Sequence, residues 1–157
     1  MDIRMRQARR PDFMRIWTAT LQTVWDDLPE DERHRQERSI WERELRRKLM
    51  PYVEGGRTEA WIAEDPTGSF LGYLLLGGGG GFLTPEPHGF VFDVWVAPEQ
   101  RGKGIGRFLV EWAINWARSK GYKKIKLEVA ESNDHARHVY EELGFRSERR
   151  YMGKVLE

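Results

Sequence analysis

A nearly unbroken apolar stretch, FVFDVWVAP at residues 90–98, constrains the fold of this chain most. A strand exposed to water on one face alternates polar and apolar residues, whereas this stretch is apolar at almost every position. It therefore predicts a central strand of a sheet whose two faces are both covered. Its one charge, Asp93, is costly there unless it has a partner or a task, so a catalytic base and an acid paired with an arginine both remain open.

The remaining chain alternates between the two-residue period of strands and the helical period. Further strands are predicted at 3–8, 59–65, 70–77, 123–131 and at the C-terminal end, and helices at 12–28, about 30–50, 105–121 and 132–145. Strands joined by helices predict one mixed α/β domain over residues 1–157. The pentaglycine at 77–81 is predicted to be a mobile lid or a long loose connection.

Composition excludes several function classes. The 26 Lys and Arg nearly balance 25 Asp and Glu, which does not favour a nucleic-acid partner, although the basic segment 118–126 and the Arg-rich second helix at about 30–50 keep that alternative open. Absence of cysteine excludes a cysteine nucleophile and a Cys-ligated zinc, and no metal is expected. The first residues lack a signal-peptide core and no segment is long and apolar enough to span a membrane, so we expect a cytoplasmic protein that does not bind membranes.

The glycine-rich loop PEQRGKGIGRFL at 98–109 joins the apolar strand to an amphipathic helix. Its spacing fits neither the P-loop pattern nor the dinucleotide-binding pattern. Unpaired backbone N–H groups at a helix start nevertheless bind anions, and glycine lets a phosphate come close. The loop alone therefore predicts either an anion site or a simple turn.

A second motif favours the anion site. The later stretch NDHARHVYEELGF at 133–145, taken with the glycine loop, resembles the GNAT superfamily of acyl-CoA-dependent N-acetyltransferases. The loop matches its cofactor pattern, and the later helix matches the pattern N-x-x-A-x-x-x-Y-x-x-x-G-F. The matched positions are Arg101, Gly104, Gly106, Asn133, Ala136, Tyr140, Gly144 and Phe145.

This resemblance implies a mixed, mostly antiparallel sheet with splayed central strands and helices on both faces. It implies acetyl-CoA as cosubstrate, with its pyrophosphate on the backbone of Arg101, Gly102, Lys103, Gly104, Ile105 and Gly106. The pantetheine arm is expected along Val94, Trp95 and Val96 with Asn133 as side-chain partner, and Asn133 is also suited to cap a helix. The Val94 N–H is the candidate donor to the oxyanion.

The resemblance also assigns chemistry. Tyr140 matches the usual general acid, although it also fits the apolar stripe of its helix, and Asp93 is the candidate base. His88, His135 and His138 are weaker candidates. The expected reaction is direct attack of a primary amine on acetyl-CoA in a ternary complex, and the alternative is a non-catalytic acyl-CoA sensor.

The acceptor is expected to be a small-molecule or a peptide amine. Its predicted site lies near residues 25–35 and 77–90, where Trp25, Asp26, Asp27 and Glu30 either attract a cation or form a polar helix junction. A homodimer is left open.

Overall fold

The computed structural model describes residues 1–81 and 84–157. Its strands are β1 (Arg4–Gln7), β2 (Glu59–Glu64), β3 (Phe70–Gly80), β4 (Pro87–Val96) and β5 (Ile125–Leu127). Its α-helices are α1 (Phe13–Asp27), α2 (Glu30–His34), α3 (Arg38–Val53), α4 (Ile105–Ser119) and α5 (Asp134–Glu142). Two 3₁₀ turns, Arg10–Asp12 and Pro98–Gln100, precede α1 and the glycine loop.

The five strands form one mixed sheet in the order β1-β2-β3-β4-β5. The first three pairs are antiparallel, and β4 and β5 are parallel. One core packs α4 on the sheet through Leu109, Ala113 and Trp116. The other packs α1 on the opposite face through Ile16 and Trp17. The predicted mixed sheet with helices on both faces is confirmed, and β4 is an interior strand.

The long polar helix predicted at about 30–50 is divided into α2 and α3. The chain leaves the helical conformation after His34, and α3 starts again at Arg38. The Glu37 carboxylate caps this new start by accepting from the N–H groups of Ser39 at 3.2 Å and Ile40 at 3.0 Å. A local capping interaction therefore interrupts a helical pattern that periodicity alone predicts to be continuous.

The glycine run is part of the sheet, so its predicted role as a lid or a loose connection is wrong for Gly77–Gly80. These residues end β3 and pair with Pro87–Phe90 of β4. A methyl group at Gly78 would collide with the Tyr122 hydroxyl, and one at Gly77 would lie 2.8 Å from the Phe92 ring. Aromatic rings thus occupy the space that side chains would need. Residues 82 and 83, within the predicted acceptor loop, lie outside the described residues.

The C-terminal strand predicted from the sequence is not formed in the described part of the chain. Residues 146–157 are exposed and adopt no regular structure, and β5 is shorter than the predicted 123–131. Glu148 pairs with Lys126 at 3.2 Å, which places this segment beside β5 without a strand ladder. Charge pairing fixes the position here, whereas the apolar side chains, Tyr151 among them, remain in water.

No helix in the two described ranges is both long enough and apolar enough to cross a membrane.

Candidate functional site

A gap opens between the two parallel strands. β4 and β5 pair only as far as Val91 and Leu127, but β4 continues to Val96. The Ala97 N–H donates to the Leu71 carbonyl on the β3 side at 2.9 Å. Because successive backbone groups of a strand point to opposite edges, those of Val94 and Val96 point into the gap. Beyond Val91 this edge of β4 therefore has no strand partner among the described residues, which suits an extended, amide-containing ligand.

A half-buried carboxylate, Asp93, lies beside this gap. The pairing register between β3 and β4 shifts after Val91, leaving Phe92 as an extra residue and placing Asp93 opposite Leu75. Asp93 Oδ2 then accepts hydrogen bonds from the Tyr73 hydroxyl at 2.6 Å and from Thr20 Oγ1 at 3.0 Å. No arginine pairs with it in the described part of the chain. The alternative of an acid paired with an arginine is therefore wrong.

Burial raises the pKa of the Asp93 carboxyl, and the hydrogen bonds from Tyr73 and Thr20 oppose that rise. The Val94 N–H also acts on this carboxylate, in the direction that favours its charged form. Burial, together with the nearby charge of Asp93, holds the pKa of Tyr73 above its usual range. A carboxylate held in this way has a higher proton affinity than one on the surface, which suits a base.

Tyr140 on α5 faces the same space. Burial, with a smaller contribution from the charge of Asp93, raises the pKa of Tyr140 to about 12. The phenol therefore keeps its proton at neutral pH and can only donate it. Its ring also packs on Phe145, with the ring centroids 5.9 Å apart, so both roles considered for it from sequence are compatible with its position.

The glycine loop has the conformation that anion binding requires. Gly102 and Gly104 have φ angles of +77° and +83°, which L side chains rarely adopt. Helix α4 begins immediately afterwards. The Phe108 N–H makes the first backbone hydrogen bond of this helix, donating to the Gly104 carbonyl. The N–H groups of the preceding turn have no partner within the helix and face outward.

Gly106 is informative because the fold does not require it. It lies in the first turn of α4 with an ordinary helical φ, and an added Cβ would meet only Val96 Cγ2 at 3.7 Å. Glycine in a helix is less stable than alanine by roughly 0.5–1 kcal/mol. The packing of the chain itself therefore gives no reason for glycine at this position.

Two polar groups on α5 complete the set. Asn133 Oδ1 accepts from the Ala136 N–H at 3.2 Å, which confirms the helix cap, and its amide N–H groups remain available to a ligand. Arg137 lies one turn later, and its buried Nε has no hydrogen-bond partner among the described atoms. The rest of the guanidinium pairs with Asp134 within the same helix.

Five of these residues, Thr20, Asp93, Val94, Asn133 and Tyr140, line a cavity of about 240 Å³. Helices α1 and α3, the gap edges of β4 and β5, and α5 each contribute to its wall. The residues of this wall that matter below are Thr20, Val24, Asp27, Leu49, Tyr52, Phe92, Asp93, Val94, Glu128, Asn133 and Tyr140. The structure therefore brings together the two predicted catalytic residues and two of the predicted cofactor residues.

Other predicted residues lie elsewhere or are engaged. The Trp95 ring stacks on Tyr73 at 5.7 Å on the α1 face of the sheet. Arg101 uses its Nε on the Val96 carbonyl at 3.1 Å, and Lys103 donates to Gln100 at 3.1 Å. Both side chains remain exposed at the loop.

Of the four predicted acceptor residues, only Asp27 lines the cavity. Trp25 packs edge-on against Trp41 and is covered by the Arg38 guanidinium at 5.1 Å. Asp26 accepts from Gln22 and Glu30 approaches His34. The three candidate histidines are also outside the cavity wall: His88 is buried against the Gly89 carbonyl, His138 pairs with Glu142, and His135 is exposed.

A larger, open depression of about 750 Å³ lies at the end of β3 and β4. Its Arg6 pairs with Asp12 at 2.8 Å and with Glu64 at 2.8 Å, so these charges already satisfy one another. None of the catalytic candidates lines it. The smaller cavity is the better candidate for chemistry.

Sequence reasoning missed Thr20, Tyr73, Arg137 and Glu128. The first two are polar residues within otherwise apolar patterns, the buried stripe of α1 and the strand FLGYLLL, and this is the signal that marks them. Arg137 occupies a variable position of the second motif, and Glu128 lies inside the longer strand that the sequence predicts at 123–131.

Comparison with known proteins agrees with this geometry. Mycothiol acetyltransferase from Thermomonospora curvata is 37% identical over 92 residues, which are 57% of this chain and 30% of that protein. Streptothricin acetyltransferase from Streptomyces lavendulae is 47% identical over 53 residues, or 34% of this chain and 28% of that protein. The chain spans about a third of the length of the curated relatives it matches.

Two solved structures share the fold. A GCN5-related N-acetyltransferase from Ralstonia eutropha superposes with a TM-score of 0.73 at 18% identity, covering 99% of both chains. A "predicted acetyltransferase" from Clostridium acetobutylicum, solved with acetyl-CoA, gives 0.69 at 18% identity over 98% of this chain and 96% of that one.

The family profile covers far more of the chain than the two motifs do. It matches residues 6–145, from β1 through the end of α5, and so includes the gap, the glycine loop and the cavity wall. The sequence resemblance is confirmed: this chain belongs to the acetyltransferase (GNAT) family.

Proposed function

We propose that this chain is an N-acetyltransferase that transfers an acetyl group from acetyl-CoA to a primary amine by direct attack in a ternary complex. The observation that carries the proposal is the part of β4 that β5 leaves uncovered beyond Val91. It begins at Asp93 and the cavity, follows the backbone of Val94 and Val96, and ends at the glycine loop.

The residues present fit coenzyme A. Loop and first-turn N–H groups from Arg101 to Gly106 suit a pyrophosphate, and Gly106 leaves space for it. The backbone of Val94 and Val96, which β5 does not pair with, suits the amides of pantetheine, and Asn133 and Arg137 add donors from α5. When bound, acetyl-CoA supplies an activated thioester.

Three groups of the chain serve the transfer. An amine arrives as an ammonium ion, and Asp93 takes its proton so that the nitrogen can attack. The new C–N bond would form as the C–S bond breaks, with the Val94 N–H stabilising the charge on the carbonyl oxygen. Tyr140 would give its proton to the leaving sulfur and regain one from the attacking nitrogen, which loses its second proton as it becomes an amide. With its pKa of about 12, Tyr140 is protonated at the start of each cycle.

The alternatives receive less support. A non-catalytic acyl-CoA sensor does not need a buried carboxylate and a phenol facing one cavity. A nucleic-acid partner needs free cations, but three of the five cations in the basic segment 118–126 are paired: Lys120 contacts Glu59 at 2.8 Å, and Lys124 and Lys126 both contact Glu148. A small-molecule amine is favoured over a protein as acceptor, because several curated relatives are named for mycothiol or streptothricin.

The proposal is tested first by binding. Calorimetry is expected to show acetyl-CoA binding that Gly104→Glu abolishes, because the new side chain would occupy the phosphate position. Gly68→Glu is the matched control: Gly68 has a similar φ of +85° and equally open surroundings, but it lies in a distant turn. Equal loss in both variants, or retained affinity in Gly104→Glu, contradicts the cofactor site.

Turnover is tested second. Release of free coenzyme A thiol is measured in a screen of small amines and peptides. We expect amine-dependent release that falls in Tyr140→Phe and Asp93→Asn. Tight acetyl-CoA binding without release for any amine would instead identify the chain as a sensor.

A further inference from the structure

The charged residues that line the cavity are all acidic. Asp93 lies at its floor, and Asp27 at the end of α1 and Glu128 just after β5 are exposed at its rim. No Lys, Arg or His lines the wall. None of the three carboxylates forms an ion pair within the described residues, whereas Asp12 and Glu64 elsewhere are paired with Arg6. The cavity therefore has a negative potential that the chain does not neutralise.

These carboxylates influence one another. Burial raises the pKa of Asp27, and the charge of Asp26 adds to that rise. The charge of Asp27 likewise contributes to the raised pKa of Asp93. Like charges that share a confined space destabilise each other, and a bound cation relieves this. No group of three His, Asp or Glu residues in the ranges 1–81 and 84–157 is placed to hold a metal ion, so an organic cation is the suitable occupant.

The wall between floor and rim is apolar. Val24 and Leu49 contribute aliphatic surface, and the Tyr52 and Phe92 rings form a pair with centroids 5.4 Å apart. Phe92 is 39% exposed, so its ring is open to contact. Such a wall suits a short methylene chain and attracts an adjacent ammonium through the ring faces. The same cavity wall therefore combines carboxylates with apolar and aromatic surface.

We infer that the acceptor is a small dicationic amine: one amine reacts at Asp93, a short methylene chain packs on Tyr52 and Phe92, and the second cation lies at the rim with Asp27 and Glu128. This inference rests on the proposed function and names the substrate class of the same site. The amide bond forms at the inner nitrogen only, so the product retains one positive charge.

Acceptors of matched length test it. Steady-state kcat/KM is measured for 1,5-diaminopentane, pentylamine and 5-aminopentanoate, which differ only in the remote end. We expect the diamine to exceed pentylamine by about tenfold, and the amino acid to be poorest, because the rim repels its carboxylate. Moderate salt should reduce the preference for the diamine, because the rim charges are exposed to screening.

Variants assign the effect to the rim. Asp27→Asn and Glu128→Gln are each expected to lower the ratio of diamine to monoamine kcat/KM about three- to tenfold, the usual range for a partly exposed charge pair. Asp26→Asn is the control, because Asp26 is adjacent, exposed and held by Gln22 at 2.9 Å outside the cavity. Thermal melts of all three establish that each variant folds.

The possible results distinguish failure of the proposed function from failure of the dicationic acceptor. Absence of acetyl-CoA binding overturns the proposed function and this inference together. Binding with equal turnover of pentylamine and the diamine overturns only the dicationic acceptor. Binding with no turnover of any small amine also overturns it, and a ratio unchanged in both rim variants removes Asp27 and Glu128 from recognition.

Discussion

Gly106→Ala is expected to stabilise the free protein and to weaken acetyl-CoA binding. The added methyl group meets only Val96 Cγ2, at an ordinary contact distance of 3.7 Å, and the local φ is helical. Replacing glycine by alanine at a compatible helical position stabilises by roughly 0.4–1 kcal/mol. For a chain of this size that raises Tm by about 1–4 °C.

The same methyl group takes space from a phosphate. A tenfold loss of affinity corresponds to about 1.4 kcal/mol. At a ligand concentration of about 100 times the parent Kd, acetyl-CoA stabilises the parent by about 2.7 kcal/mol and such a variant by about 1.4 kcal/mol. The two melting curves should therefore exchange order: the variant melts higher without ligand, and the parent melts higher with it.

Differential scanning calorimetry with and without acetyl-CoA measures both quantities in one experiment. Gly104→Ala is the comparison, because its φ of +83° makes any side chain strained, so both Tm and affinity should fall. The reasoning is refuted if Gly106→Ala binds acetyl-CoA as tightly as the parent, or if its free form melts lower.

Three further perturbations address other parts of the molecule. Tyr140→Phe should lower kcat by about 10²-fold or more without changing acetyl-CoA affinity, because the ring remains and only the proton donor is lost; an unchanged kcat returns Tyr140 to a packing role. Asp93→Asn should lower kcat. It should also raise Tm relative to the parent, and this increase should be larger at pH 7 than at pH 4. Burial raises the folded-state pKa of Asp93, so the parent loses stability as pH rises through that range, and a pH-independent difference contradicts this. Gly78→Ala should destabilise by about 1–3 kcal/mol in chemical denaturation because Tyr122 fills its space, whereas Gly80→Ala, with open surroundings, should be neutral; equal effects refute the packing argument.

Much of the fold could be predicted because its signals are local. The apolar stretch 90–98 indicates an interior strand. Asn133 caps the start of α5, and Gly144, with a φ of +94°, follows its end. The prediction of a lid or loose connection at Gly77–Gly80 is wrong because it follows glycine's local preference for loops. Long-range pairing with β4 and packing of the Tyr122 and Phe92 rings determine the structure of these residues instead.

The candidate site likewise contains some residues that the sequence predicts and others that only the fold brings together. The glycine loop and Tyr140 belong to motifs, so a linear pattern identifies them. The contact of Thr20 with Tyr73 joins residues 53 positions apart and exists only once α1 packs across the sheet. Periodicity assigns both residues to buried faces but cannot show that their hydroxyl groups meet at one carboxylate. The three carboxylates of the cavity likewise come from separate parts of the chain, α1, β4 and the segment after β5, so only the folded structure places them together.

Helix α5 has a consequence for the order of events during turnover. None of its residues is fully buried, and an ion pair from Glu142 to Arg107 at 2.9 Å joins it to α4. Local unfolding free energy follows buried contact, so in native-state hydrogen exchange its amides should open well before those of α4, which bury six residues. A cosubstrate bound by Asn133 and Arg137 would slow that exchange. The wall that carries Tyr140 would then become fully ordered only after acetyl-CoA has bound, which favours sequential kinetics with the acceptor entering second.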